Sequence, residues 1–452
     1  MMRPAFLMYF LDPILRGPTI ASMLMCLAAS LAGVLLFLRR QCLLGEALSH
    51  ASYPGLTLAI VLYGLLFEHE PSELLLVFVL IGSFLSSLAG LYLIDYLQKK
   101  QRMHSDAALC FVLSVFFAIG LTAIGYVQFS HSRLYVHAQS YLYGQVATMH
   151  DNHIWIYAVL CVVLLLFLLL FYKEIEVLHF DRDFAVASGI NAKLVDGLFF
   201  FILVFAVVLG IRSVGVVLLS AMFVAPALAA RQYTQKLKQL FFLSAFFALM
   251  SGFFGIYCSI EMSYIVEKWY GSPRLLFPAG PLIVLIACFF ALFSVFLAPK
   301  RGLFFRYWRI LLFQGQCLLE HILKTLWRFS HKDAGMSLSE ISMQQGCSKL
   351  LAYLALLFLR VKARVFYREG RYALSKEGKV QAAQIVRLHR LWELYLVNDL
   401  GFGVEKVHKS AEEMEHVITP EVERILTHLL GDPKQDPHFQ PIPEKNLGKS
   451  ND

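Results

Sequence analysis

The sequence predicts an all-α polytopic membrane protein of about eight to nine transmembrane helices, followed by a cytoplasmic α+β winged-helix domain and a further helical domain. Three observations support this fold class. Of the 452 residues, 58% are hydrophobic and only 16% are charged, whereas soluble domains usually carry about a quarter charged residues. Long apolar runs follow one another through the first two thirds of the chain. At Pro299 the composition changes, and basic, polar and turn-forming residues become frequent.

The apolar runs approach or exceed the length of a membrane span. A helix needs about 20 apolar residues to cross about 30 Å of hydrocarbon. The predicted spans are residues 17–38, 46–66, 73–98, 107–129, 152–172, 193–212, 214–230, 238–262 and 278–298. Residues 1–16 contain a short apolar stretch broken by proline, and we expect them to form an interfacial lead-in.

Positive charge in the connecting segments predicts the topology, because Lys and Arg accumulate in cytoplasmic loops. Such clusters occur at residues 39–40, 98–102, 231–238 and 300–301. The connections at residues 68–70, 131–151 and 267–274 then lie outside, which places the C-terminal part in the cytoplasm. Residues 301–316 are aromatic, basic and amphipathic, as expected for a linker along the membrane surface. Residues 444–452 are predicted to be a loose tail.

A carboxylate and an imidazole lie four residues apart in the second predicted span. If the segment is helical, Glu46 and His50 share one face. Ionisable side chains are costly inside a bilayer and usually face a bundle interior or a cavity, and this pair suits a first-row divalent ion. The alternative is that both are hydrated at the headgroup boundary. Pro54-Gly55 and Pro226 interrupt spans, which favours backbone that lines a cavity over an ordinary kinked helix.

Four segments, taken in order, resemble the permeases of ABC-type importers for manganese, zinc and iron. They are LLGEALSHASYPGL (43–56), FDRDFAVASGI (180–190), VGVVLLSAMFVAPALAAR (214–231) and PKRGL (299–303). The resemblance covers about residues 10–303 and implies a permease domain over residues 17–300. It also implies that Glu46, where the family usually has aspartate, and His50 contact the translocated metal.

The segment 180–190 lies in a predicted cytoplasmic connection. By resemblance it is a short helix that docks on the ATP-hydrolysing subunit, with Phe180, Asp181, Ala185 and Gly189 as coupling residues. A plain linker is the alternative, but a linker has no need of an apolar face. The chain contains no GxxxxGK[ST] motif, so we expect a translocation subunit that needs a separate ATPase and is not itself an enzyme. The resemblance further implies an extracellular or periplasmic metal-binding protein and a second permease copy or paralogue.

Residues 317–380 have the order of a winged helix-turn-helix. A first helix starts at Ser337, Gly346 makes the turn, residues 347–360 form the second helix, and residues 368–372 form a basic hairpin tip. Such a unit places its second helix in the major groove of DNA. The predicted DNA contacts are Ser348, Lys349, Tyr353, Arg364, Arg368 and Arg371. Because residues 350–359 are nearly all apolar, a protein-interaction module is the alternative.

Potential metal ligands follow in residues 381–443. His389 and Glu393 are four residues apart, and a helix would place His408, Glu412, Glu415 and His416 on one face. Ligand sets of His and carboxylate without thiolate suit Fe(II) or Mn(II), and Zn(II) is also compatible. A solvated, charge-rich helix face would show the same spacing.

Residues 387–422 and the segment DPHFQPIP (436–443) resemble the metal-sensing and dimerisation domain of DtxR-type repressors. The resemblance implies one metal site of Glu412, Glu415 and His416, with His321 as a completing ligand. It implies a second site of His389, Glu393 and His408. It also implies a C-terminal homodimer that binds operator DNA. Glu412 stands where manganese-type members carry glutamate.

Together these features predict an inner-membrane permease subunit for divalent metal import, fused to a metal-dependent transcriptional repressor. Two alternatives remain: a permease for metal chelates of the siderophore or corrinoid type, and a membrane-anchored metal sensor that transports nothing. We also expect proteolysis between about Lys300 and Cys317 to release the C-terminal domain into the cytoplasm, because exposed connecting backbone invites cutting.

Overall fold

The computed structural model describes residues 7–67, 73–130, 132–270, 277–330, 335–403, 405, 407–414, 416 and 418–444. The chain divides into two compact units, residues 1–305 and 306–452. Each unit is described by itself below.

The described part of the first unit consists of helices joined by short turns and loops. Its helices are α1 (Met8–Leu11), α2 (Pro13–Leu38), α3 (Cys42–Leu66), α4 (Glu73–Lys99), α5 (Ser105–Ser130), α6 (Ser132–Tyr143), α7 (Asp151–Leu170), α8 (Tyr172–Phe180), α9 (Arg182–Ala187), α10 (Ala192–Val214), α11 (Val216–Arg231), α12 (Leu237–Tyr270) and α13 (Ala279–Leu297). All nine predicted spans correspond to helices of this unit. Within the described residues, seven of them are long and apolar enough to cross a membrane, and α3 and α11 are not among these seven.

The first span begins at Pro13, four residues earlier than predicted. Proline suits the first helical position, and the Asp12 side chain accepts a hydrogen bond from the Ile14 amide at 2.9 Å. The preceding residues are not simply interfacial. The Tyr9 side chain is fully buried, and its ring lies 6.1 Å from that of Phe253 and 5.6 Å from that of Tyr257. The lead-in therefore packs against α12.

Helix α3 packs against α4, α5 and α11 and forms the centre of the first unit. A Cβ atom at Gly55 would lie 2.0 Å from the carbonyl oxygen of Gly82, so glycine permits the close approach of α3 and α4. The prediction that Pro54-Gly55 and Pro226 interrupt their spans is wrong, since α3 and α11 are continuous. Membrane helices tolerate proline where neighbouring helices and Ser or Thr side chains satisfy the freed backbone groups.

The second unit has the predicted winged helix-turn-helix order. Its elements are α14 (Leu303–Phe329, which begins just before the unit boundary), α15 (Leu338–Gln345), α16 (Lys349–Val361), β1 (Val365–Arg368), β2 (Arg371–Leu374), α17 (Lys376–Asn398), α18 (Val407–Met414) and α19 (Pro420–Leu429). The strands pair antiparallel, with Val365 opposite Leu374. Ser337 and Glu340 form a capping box at the start of α15, and Gly346 ends that helix with φ +61°, a conformation that glycine adopts readily.

The predicted amphipathic linker 301–316 lies largely within α14, which begins at Leu303 and continues to Phe329. One expectation about the second unit needs correction. The segment 408–416 does not form one helical face, because α18 ends at Met414 and His416 lies in the turn that follows. Pro420 begins α19, and a residue before proline avoids helical backbone, so the chain must leave the helix before Thr419. Glu415 lies outside the described residues.

Candidate metal sites and coupling surface

The first candidate metal site is on α3, where Glu46 and His50 lie one helical turn apart. His50 is 7% exposed, and the Phe117 ring meets the imidazole edge-on at 4.6 Å between centroids. The His50 Nδ1 atom is buried and has no hydrogen-bond partner among the described residues. Glu46 is half-buried. A buried ring nitrogen without a partner, beside a carboxylate, fits a divalent cation that passes through the bundle as cargo.

A second buried acid in the membrane unit escaped the sequence analysis. Glu261 lies on α12 and is 7% exposed. Nearby, Ser259 donates to the Phe277 carbonyl at 2.6 Å, and Ser263 accepts from the Phe277 amide at 3.1 Å. The signal for Glu261 was a carboxylate within an apolar run, a feature that usually marks a functional position in membrane helices.

The predicted coupling segment contains a short helix, α9, with exposed aromatic residues. Asp181 caps this helix by accepting a hydrogen bond from the Phe184 amide at 3.0 Å. Ala185 is fully buried, whereas Phe180 and Phe184 are 94% and 61% exposed. Gly189 follows the helix with φ +86°. The segment is therefore anchored by the buried Ala185 and exposes two aromatic rings, Phe180 at the end of α8 and Phe184 on α9.

A charged cluster connects this segment to the membrane helices. Asp196 of α10 accepts hydrogen bonds from Arg39 at 2.7 Å and from Arg182 at 2.6 Å. The Arg39 guanidinium also lies over the Phe199 ring, 4.6 Å from its centroid. Arg39 follows α2 and Arg182 begins α9, so Asp196 joins three elements. The sequence analysis did not identify Asp196.

His179 lies beside this cluster and borders a cavity of about 390 Å³ that Arg39, Arg182 and Asp196 also line. Its Nδ1 donates to the Ile175 carbonyl at 2.7 Å. Burial lowers the pKa of His179, and the nearby Arg39 and Arg182 lower it further. The imidazole is therefore neutral near pH 7.

The first ligand set of the second unit is partly assembled. The His416 Nδ1 atom lies 2.6 Å from a carboxylate oxygen of Glu320, and its Nε2 lies 2.9 Å from Nε2 of His321. Glu320 was not predicted. Glu412 is exposed, and Glu415 falls outside the described residues. Imidazole and carboxylate donors fit a first-row divalent ion, although no three His, Cys, Asp or Glu side chains within the described part are arranged to hold one.

The second ligand set contains an unexpected cation. His389 and Glu393 are 4% and 2% exposed, and His389 Nε2 lies 3.2 Å from the Glu393 carboxylate. Lys324, also buried, places Nζ 3.0 Å from His389 Nδ1. Both ring nitrogens are thus engaged, and an ammonium group repels a divalent ion. The pair does not fit a metal ion in this arrangement. The side chain of His408 lies outside the described residues.

The predicted DNA contacts lie at the start of α16, on α16 itself, in the turn before β1 and in the hairpin of β1 and β2, which forms the wing. Ser348 caps α16 through the Leu351 amide at 3.3 Å. Ser348, Lys349 and Tyr353 are exposed and Arg364 is half-buried, and Arg368 at the hairpin tip is 80% exposed. The Arg371 side chain donates to the Gly335 carbonyl at 3.1 Å, so it also has a structural contact.

Comparison with known proteins agrees with this division of the chain. Residues 12–298 match the ABC 3 transport family, and residues 375–444 match the metal binding and dimerisation domain of iron dependent repressors. A probable metal transport system membrane protein of Chlamydia pneumoniae is 38% identical over 446 residues, which cover 96% of this chain and 98% of that protein.

Two further matches each cover about two thirds of this chain. The zinc transport system membrane protein TroC of Treponema pallidum is 34% identical over 305 residues, 68% of this chain and 96% of that protein. The solved structure of PsaBC from Streptococcus pneumoniae in complex with Fab has a TM-score of 0.53 and 26% identity, and the match covers 68% of this chain and 98% of that chain.

Fold and sites together define a multi-pass membrane permease with an appended regulatory domain. The chain belongs to the ABC 3 transport family and carries a C-terminal iron-dependent repressor domain.

Proposed function

We propose that this chain is the permease subunit of an ATP-driven importer of divalent metal ions, joined to a metal-dependent transcriptional repressor. One observation carries the transport part: His50 is buried in α3 with Nδ1 unpaired among the described residues, one turn from Glu46. An imidazole and a carboxylate bind Mn(II), Fe(II) or Zn(II) without the tight thiolate bonds that would retain the ion. We therefore assign these two side chains to the translocated metal.

A separate ATPase supplies the energy. The exposed rings of Phe180, at the end of α8, and Phe184, on α9, form the surface on which it docks. Asp196 then transmits the motion of α9, because it binds Arg182 and Arg39 at once. A second permease copy or paralogue completes the translocation path, and an extracellular or periplasmic binding protein delivers the ion. The chain lies in the bacterial inner membrane with its C-terminal unit in the cytoplasm.

The second unit senses the imported ion by binding it. Glu412, Glu415 and His416, with His321 of α14, form the sensing site. Metal there stabilises a C-terminal homodimer that places two winged helices on an operator. The ion shifts this equilibrium only by its differential affinity for the DNA-competent form. The contact between His321 and His416 supports the assignment, since it joins the first helix of the winged-helix domain to the turn after α18.

Transport is tested with the full chain reconstituted in proteoliposomes with its ATPase and binding protein. ATP-driven uptake of Mn(II), Fe(II) and Zn(II) is measured for the wild type, Glu46→Gln and His50→Ala. We expect each variant to lose at least about tenfold in uptake, the scale on which disturbing a metal site acts. Asp106→Asn is the control, because Asp106 is an exposed acid of the same unit.

Two results would contradict the proposal. Uptake of free ions that is unchanged in Glu46→Gln and His50→Ala would favour a permease for metal chelates. Metal-dependent DNA binding without uptake of any of the three ions would favour a membrane-anchored sensor.

A further inference from the structure

The outward face of α16 is apolar over most of its length. Four residues face the core of the winged-helix domain and are buried: Ala352, Ala355, Leu356 and Leu359. Seven large apolar residues lie on the remaining surface and are between 44% and 79% exposed: Leu350, Leu351, Tyr353, Leu354, Leu357, Phe358 and Val361. A soluble domain rarely exposes so continuous an apolar patch unless the patch contacts something.

This face does not have the chemistry of a base-reading helix. Base edges in the major groove are recognised mainly by hydrogen bonds from Arg, Lys, Asn and Gln. On α16 the exposed positions between Lys349 and Arg360 carry one polar atom, the Tyr353 hydroxyl. An apolar partner therefore explains the face better than nucleic acid does.

Cations surround the apolar face. Lys349 lies at one end of α16 and Arg360 and Lys362 at the other, and all three are exposed. Arg368 lies exposed at the hairpin tip. An apolar centre with a basic border is the pattern of helices that lie in the headgroup region of anionic bilayers. A second copy of the same face would bring these like charges together, which disfavours a symmetric dimer through α16.

We propose that the outward face of α16 docks on the anionic surface of the membrane in which the same chain is anchored. The connection through α14 keeps the domain close to that surface, which raises its effective concentration there. The first half of α14 has the same chemistry, since Phe304, Tyr307 and Trp308 are more than half exposed and alternate with Arg306 and Arg309.

The docking has a regulatory consequence that rests on the proposed function. While α16 lies on the membrane, it is not available to the operator. DNA binding then requires the winged helix to leave the bilayer, either transiently or after release of the domain.

Photo-cross-linking of the full chain tests the docking. p-Benzoylphenylalanine replaces Leu354 in one preparation and Ile425 of α19, 58% exposed, in a control. Both are placed in nanodiscs rich in phosphatidylglycerol and in nanodiscs of phosphatidylcholine alone, and adducts are identified by mass spectrometry. We expect at least tenfold more lipid adducts at position 354 than at 425 in the anionic nanodiscs, equivalent to about 1.4 kcal/mol. Equal yields at the two positions, or adducts mainly with a second copy of the chain, would overturn the docking.

A second experiment tests whether the lipid adducts depend on the apolar face itself. The cross-linker is placed at Leu351 in chains that carry Leu354→Glu with Leu357→Glu, or Ile425→Glu alone. All of these positions are exposed, so the domain should fold in each case. We expect the double variant to lose at least tenfold in lipid adducts and Ile425→Glu to keep them. A double variant that keeps its adducts would also overturn the docking.

Metal uptake by matched proteoliposomes separates the two proposals. Uptake without lipid adducts would refute the docking alone, and lipid adducts without uptake would refute the transport function alone. A further arm of the experiment adds DNA from the promoter region of the gene that encodes this chain. Adducts at position 354 that form with this DNA in preference to lipid, in the absence of metal, would overturn the docking.

Discussion

His416 and His321 contact each other through their Nε2 atoms at 2.9 Å, although 95 positions separate them in the chain. The contact joins α14 to the turn after α18, so it connects the winged helix to the metal-sensing region. At this distance one imidazole donates an N–H hydrogen bond to the other, or both rings direct a nitrogen lone pair toward one cation bound beside them. A metal ion at this point would therefore fix the orientation of the two segments relative to each other.

The first prediction concerns this contact. His321→Ala removes one donor, and we expect the Mn(II) concentration needed for half-maximal DNA binding to rise by about 10- to 100-fold, the usual effect of disturbing a metal site. The measurement is DNA binding of the full chain in detergent across a metal titration. His428→Ala, an exposed histidine of α19, should leave the titration unchanged. Removal of metal by a chelator should abolish binding in both variants.

The second prediction concerns Lys324, whose ammonium contacts His389 at 3.0 Å. Lys324→Met keeps the length of the side chain and removes the charge that excludes a divalent ion. We expect one additional Mn(II) per chain, measured by equilibrium dialysis with Glu46→Gln and His50→Ala also present to silence the transport site. Lys349→Met, at an exposed lysine, is the control. An unchanged metal count would show that His389 and Glu393 serve a purely structural role.

The third prediction concerns Asp196, which binds both Arg39 and Arg182. Asp196→Ala leaves Arg39, whose side chain is 13% exposed, without its carboxylate, at a cost of about 1.5–3 kcal/mol for the lost charged hydrogen bonds. We expect ATP hydrolysis to continue while ATP-driven uptake falls, because α9 is no longer tied to α2. Asp95→Asn breaks only an exposed pair with Lys99 and should cost about 0.5 kcal/mol or less. An equal loss of ATP-driven uptake in both variants would contradict a specific coupling role for Asp196.

The fourth prediction is a pH dependence at His179. Burial lowers its pKa in the folded chain, so the unfolded chain takes up the proton more readily and acid favours unfolding. Stability from this residue is present above the ordinary histidine pKa of about 6.5 and is lost as the pH falls below it. Thermal unfolding of the purified chain between pH 8 and pH 5 measures the loss. His179→Gln cannot titrate and should show a smaller decline in Tm, and an equal decline would assign the acid sensitivity to other groups.

Much of the fold could be predicted because its signals are local. Apolar runs located the nine predicted spans, each of which corresponds to a helix of the first unit, and Ser337 and Gly346 marked the ends of α15 through capping and a left-handed backbone. The contacts that define the sites are not local. Lys324 meets His389 across 65 positions, and Glu320 meets His416 across 96. Helical spacing alone predicted that His416 lies on the same helix as His408. That argument did not take into account that Pro420 begins another helix, so α18 has to end before it.

The last prediction is release of the C-terminal unit. Within the interval from Lys300 to Cys317, only residues 300–302 precede α14, and Lys300 and Arg301 are exposed. Proteases bind extended backbone, so exposed non-helical residues are cut in preference to a helix. We expect cleavage at these basic residues, which would leave α14 and the whole winged-helix domain on the soluble fragment. Cell fractionation followed by N-terminal sequencing of the fragment locates the cut. Full-length chain alone in both metal-rich and metal-poor cells would show that the repressor acts from the membrane.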